Sequence, residues 1–167
     1  MQMNLIFCPR TKGADLDSIV EYFIALFLTR GGQVFIVPQY VIPSDNPNGE
    51  WACPDFVALD FSKREVIVVE VTTSSNYNNI VQLAKQRHAR WYERLNKKLL
   101  SDDVIDKTWG IRLLVFVREA HITLLNNIFR DDTDVTFHSV EDSTFEYKYW
   151  DDRKKYGIPN KLNEPSF

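Results

Sequence analysis

Cysteine is nearly absent from this 167-residue chain: Cys8 and Cys53 are too few for a disulfide framework or a zinc knuckle. Long apolar runs are missing too. The longest, Ile19 to Leu28, is broken by Glu21 and falls short of a membrane span. The opening residues Met1-Gln2-Met3-Asn4-Leu5 lack the basic stretch and apolar core of a secretory leader. These absences lead to the expectation of a soluble, cytoplasmic protein of a reducing compartment, with no membrane partner. A basic excess is also lacking, the net charge being −3. That does not announce a nucleic-acid binder, nor does it exclude one, since an acidic centre can sit beside a local basic strip. Histidine is scarce, and His121 and His138 fall in different predicted elements with no metal-ligand spacing. What the chain does have is apolar substance: 44% hydrophobic and 13% aromatic residues, enough for one ordinary domain with a real core.

Periodicity orders that substance into elements. Asp15 to Thr29 carries Leu16, Ile19, Val20, Phe23, Ile24, Phe27 and Leu28 at helical spacing, with Asp15 or Asp17 as N-cap and Gly31-Gly32 as the stop. Gln33 to Ile42 reads as a strand and Pro43 to Gly49 as a turn-rich loop. A hairpin follows, then the loop Ser74-Ser75-Asn76 and a long helix from Asn78 to Leu100. Ile111 to Val117 is almost wholly apolar, as a strand buried on both faces must be. Glu119 to Phe129 suits a short helix and Asp134 to Val140 a last strand. Strands and helices alternating around a central hairpin predict a single α/β domain with a mixed sheet and helices on both faces. The core spans about residues 15–140, and 143–167 form an extension without a legible element.

The hairpin, Cys53 to Thr72, holds the most informative residues. A two-residue loop at Ser62-Lys63 gives facing residues a constant sum of position numbers, which sets Asp55 directly across from Glu70 on one face of the sheet. Facing like charges destabilise a sheet unless a partner compensates, and a divalent metal ion is one that can. Taken singly, either acid is unremarkable. The pair gains weight because Glu70 closes the apolar run Val66-Ile67-Val68-Val69, where a surface glutamate would be out of place.

Pro54-Asp55 followed by Glu70-Val71-Thr72, on a hairpin between two helices, resembles the core of the PD-(D/E)XK nuclease superfamily. The resemblance covers roughly residues 15–140 but rests on a handful of motif positions. It implies a restriction-endonuclease-like core (α-β-β-β-α-β-α-β) and hydrolysis of DNA or RNA phosphodiester bonds by a water activated on Mg²⁺ or Mn²⁺, leaving a 5′-phosphate. Asp55 and Glu70 are then catalytic metal ligands. Glu21 on the first helix and the Val71 carbonyl join them by analogy. Such hard oxygen donors suit Mg²⁺ or Mn²⁺ better than zinc. The chain departs from the motif at Thr72, which stands where the family carries lysine. The missing cation is sought at Lys85, with Gln82 three residues before it on the following helix. Cap-snatching viral endonucleases are similar in moving their lysine to that helix.

Arg87, Arg90, Arg94 and Lys98 recur at spacings of three and four and give a candidate nucleic-acid-binding face, although such a run is more often a solvated one. Val81, Ala84, His88, Trp91, Leu95 and Leu99 form the complementary stripe, making His88 a core-edge residue. Trp51, Tyr77 and Tyr92 are candidates for base stacking, or else plain core. Cys53 has no histidine placed to activate it as a nucleophile. Two rival classes stay open. One is a degenerate relative that binds nucleic acid or a protein without cutting; the other is an unrelated enzyme using two carboxylates for acid–base work. Oligomeric state and membership of a larger nuclease, defence or polymerase assembly are likewise open.

Overall fold

The computed structural model describes residues 16–44, 49 and 51–144. Its elements are α1 (Leu16–Thr29), β1 (Val34–Pro38), β2 (Phe56–Asp60), β3 (Glu65–Val71), α2 (Asn78–Lys85), a π-helical turn (His88–Tyr92), α3 (Glu93–Ser101), β4 (Gly110–Val117), α4 (Glu119–Ile128), β5 (Val135–Ser139) and α5 (Val140–Thr144). The strands form one sheet in the order β1-β2-β3-β4-β5. The first three make an antiparallel meander, while β3–β4 and β4–β5 are parallel. Each parallel pair needs a crossover, supplied by α2–α3 and by α4. This is the expected single-domain α/β architecture with a mixed sheet.

Alternation along the strands sorts the core into two halves. Ile24 and Leu28 of α1 pack on Phe56, Ala58, Ile67, Val69, Leu114 and Phe116. On the other face Trp91, Leu95 and Leu99 pack on Val57, Val66, Val68, Leu113 and Val115. The α1 stripe is narrower than its apolar spacing predicts: Ile24 and Leu28 are buried, but Ile19 and Phe23 are exposed. One helix laid on a sheet seats a single ridge. An apolar residue a third of a turn away from that ridge stays at the surface.

The hairpin keeps the expected register, with Phe56 across from Val69 and Asp60 across from Glu65. Its loop is four residues, Phe61 to Arg64, rather than the expected two, and Arg64 takes the left-handed conformation at φ 54°. Asp60 is buried and accounts for the tightness of this turn. Its Oδ1 accepts hydrogen bonds from the Ser62 N–H (3.0 Å), the Ser62 hydroxyl (2.6 Å) and the Lys63 N–H (3.2 Å). Asp60→Ala is therefore expected to destabilise the protein by about 1–3 kcal/mol, read as a lower urea midpoint with an unchanged slope.

β1 and the long helix differ from expectation. β1 stops at Pro38, where Gln39 follows in the left-handed region at φ 48° and turns the chain out of the extended conformation. A lone Ile42–Ala52 bridge is all that remains of the rest of the strand. The long helix is interrupted after Lys85 by the π-helical turn. That wide turn changes which side chains face the sheet: Arg87 goes inward, and His88, expected at the core edge, has a side chain 62% exposed. Cys53 is disulfide-bonded. Cys8, the one other cysteine in the sequence, lies outside the described residues, as do the Asp15 cap and residues 145–167 of the C-terminal extension. Among the described residues no helix is long and apolar enough to cross a membrane.

Candidate functional site

Asp55 and Glu70 meet where β2 begins and β3 ends. The β2–β3 register runs up to Phe56–Val69, so Asp55 and Glu70 are the next facing pair. Glu70 shares the parity of Val66 and Val68 and thus projects to the face covered by α2 and α3. Both acids are 4% exposed, and neither carboxylate lacks a partner. The position across from Val71 belongs to Pro54, where the chain leaves the ladder. Asp55 takes over as acceptor there, its Oδ2 receiving the Val71 N–H at 2.7 Å. Its backbone carbonyl also accepts from Gln39 N–H at 2.8 Å, tying β1 to the same point. Asp55 is thus tied to main chain through both its carboxylate and its backbone carbonyl, which orients it as a preorganised ligand has to be oriented.

The other candidates are placed less closely. Val71 is buried on the α1 face with its N–H held by Asp55. Thr72 continues the β3–β4 ladder through its N–H to Phe116 (2.9 Å), and its hydroxyl accepts the Ser74 N–H at 3.2 Å. That hydroxyl organises the turn into α2. Gln82 is exposed, on a different side of α2 from the buried Ile80, Val81 and Ala84. Lys85 is exposed at the last residue of α2. Glu21 is half-buried on α1, the helix covering the opposite face from α2 and α3. Among the described residues no three His, Cys, Asp or Glu side chains form a ready-made metal cage, so Glu21 is not gathered with Asp55 and Glu70. The pair alone offers two hard oxygen donors. Mg²⁺ is commonly held by one or two carboxylates, with water and substrate phosphate filling the remaining positions, so the donor set fits it.

The basic face does not exist as an exposed row. Arg87 is buried and clamped, its guanidinium donating to Asp134 at 2.7 and 2.8 Å, to Asp132 at 2.5 Å and to the Ala84 carbonyl at 3.0 Å. Arg94 donates to the carbonyls of Pro43 (3.0 Å) and Ile42 (2.8 Å), fastening the loop after β1 to the helix. Lys98 pairs with Asp102 at 2.7 Å, and that bond holds the Asp102 carboxyl below its usual range. Arg90 is half-buried with its guanidinium over the Trp91 ring. Arg87 and Arg94 are thus fastened to the protein itself rather than free for a phosphate track. Among the stacking candidates, Tyr92 is core, with its hydroxyl pushed far up by burial. Tyr77 packs its ring at 5.3 Å from that of His121, and Trp51 is exposed.

Sequence reasoning missed the Arg87–Asp132–Asp134 clamp. Its partners lie 45 and 47 residues away, with no local pattern to join them. It also missed Asp60, although an aspartate before Ser-Lys at a hairpin tip is a readable turn signal. Burial pushes the His138 imidazole toward the neutral form. No family model, curated protein or solved structure matches this chain.

Proposed function

We propose that this protein is a metal-dependent nuclease of the PD-(D/E)XK type, hydrolysing phosphodiester bonds of DNA or RNA. The observation that supports this most is the facing of Asp55 and Glu70, both buried, where β3 leaves an antiparallel neighbour for a parallel one. Asp55 and Glu70 hold the ion, with the Val71 carbonyl as a further donor. When bound, Mg²⁺ or Mn²⁺ supplies an activated water and offsets charge on the phosphate. Lys85 is the cation assigned to the developing charge. The element order from α1 to β5 and the mixed sheet accord with this reading.

A second reading is a degenerate relative that binds without cutting. Thr72 favours it, since the motif lysine is absent and the hydroxyl is engaged by Ser74. One assay separates the two. Single- and double-stranded DNA and RNA are incubated with Mg²⁺, Mn²⁺ or chelator, beside Asp55→Asn, Glu70→Gln and Lys85→Ala. Metal-dependent cleavage lost in the acid variants supports the nuclease; binding without cleavage on every substrate under either metal supports the degenerate form. Wild-type cleavage by Lys85→Ala would remove that lysine from the site.

A further inference from the structure

We propose that the outer edge of β1 is the contact between two copies of this chain, joining their sheets into one of ten strands. Among the described residues β1 is a terminal strand with β2 as its sole neighbour. Its backbone phase can be read from the bonds at its two ends. Gln39 N–H donates to Asp55 and the Gln33 carbonyl accepts from Phe61 N–H, both directed at β2. Odd-numbered residues of β1 therefore serve β2, and the N–H and C=O groups of Val34 and Ile36 point away from it. Pro38, next in that outward series, offers only a carbonyl.

Natural edges are blunted by charge, especially lysine. This one is not: no charged residue occurs from Gly31 to Ser44. It is also apolar where it meets solvent, Phe35 being 65% and Val37 49% exposed on the face away from α1. The Phe35 ring is held edge-on against Phe61 at 5.5 Å, so it is presented in a fixed position.

A strand of this kind is complementary to itself about a two-fold axis. Setting Val34 of one copy across from Ile36 of the other satisfies all four outward N–H groups of the two strands with all four carbonyls. It leaves Pro38 beyond the paired region. The same register brings the two Phe35 residues face to face as a non-hydrogen-bonded pair, where aromatic side chains are close enough to pack. An uncharged surface brings no like-charge repulsion to oppose this arrangement. A second copy is the occupant that the strand's own register, phase and neutrality fit.

The test is molar mass in solution together with a register-specific cross-link. The 19.6 kDa chain is expected to run at twice that mass by light scattering. Ile36→Pro deletes an outward N–H without touching the β2 ladder, and Phe35→Lys places like charges opposite each other. Both are expected to give monomers with wild-type circular dichroism, and Phe35→Lys decides the matter if the proline variant does not fold. F35C is expected to cross-link to its symmetry mate on mild oxidation, because facing non-hydrogen-bonded residues lie within disulfide reach, whereas V37C is not. A monomeric wild type at 100 μM-scale loading, or a dimer that survives both edge variants, would overturn the proposal. Cross-linking of V37C but not F35C would overturn the register.

Discussion

Asp55→Asn and Glu70→Gln are each expected to lower metal-dependent cleavage by about 10³-fold, ~4 kcal/mol of transition-state stabilisation, with little change in melting temperature. The amides are chosen for a structural reason. Asn at position 55 still presents an oxygen to the Val71 N–H, so the main-chain tie that closes the end of β3 survives while the charge is removed. Alanine at the same place would strand a buried N–H and confuse folding with chemistry. If both acids hold one ion, the double variant should be no slower than the worse single, because groups acting as a unit are not additive. Isothermal titration with Mn²⁺ gives an independent readout: heat of binding lost in both amide variants locates the ion at the pair. Full cleavage by either variant would sink the assignment.

Arg87→Met is expected to produce the largest loss of stability, about 3–5 kcal/mol, or roughly 6–20 °C in melting temperature for a domain of this size. The methionine fills the volume but leaves Asp132 and Asp134 without the guanidinium that bridges them and joins the helix to the segment before β5. The clamp also sets a pH dependence. Hydrogen bonding to Arg87 holds the Asp134 carboxyl below its usual range, against the opposing effect of burial. A carboxylate depressed in the folded state contributes stability that is complete above its unfolded pKa, about 3.9, and is lost as pH falls through the lower folded value. The gap between wild type and Arg87→Met should therefore be widest near neutrality and narrow below about pH 4. Melts from pH 3 to 7 will show it; a gap independent of pH would remove Asp134 from the account.

Much of the fold can be read in the residues because it is written in short-range patterns. The hairpin register followed from a turn at Ser62-Lys63 and the alternation of β2 and β3, and with it the facing of Asp55 and Glu70. β4 and α4 were within a residue of their observed limits, since an apolar run and an amphipathic segment leave little choice of element. What escaped was long-range or cumulative. A π-helical turn is a shift of phase that no single residue in His88–Tyr92 announces, and it exchanged the places of Arg87 and His88. The basic residues looked like one surface because their spacing was helical; only their partners across the fold show that Arg87 and Arg94 are structural. Glu21 was placed by analogy with a helix near the hairpin, and it lies on the layer covering the other face.

The neighbours of β3 also set a clock. Its partner β2 is reached through a four-residue loop, whereas its partner β4 begins 45 positions after β3 does, Gly110 pairing with Glu65. Closing the short loop sacrifices far less chain entropy than closing the long one, so the meander is the natural nucleus and the parallel half docks afterwards. Weakening the tip of the hairpin should then retard refolding, while weakening β4 or β5 should mainly hasten unfolding. In a denaturant chevron, Asp60→Ala is expected to displace the refolding limb and leave the unfolding limb nearly in place. On this view the two carboxylates face each other before the helices that bury them have arrived.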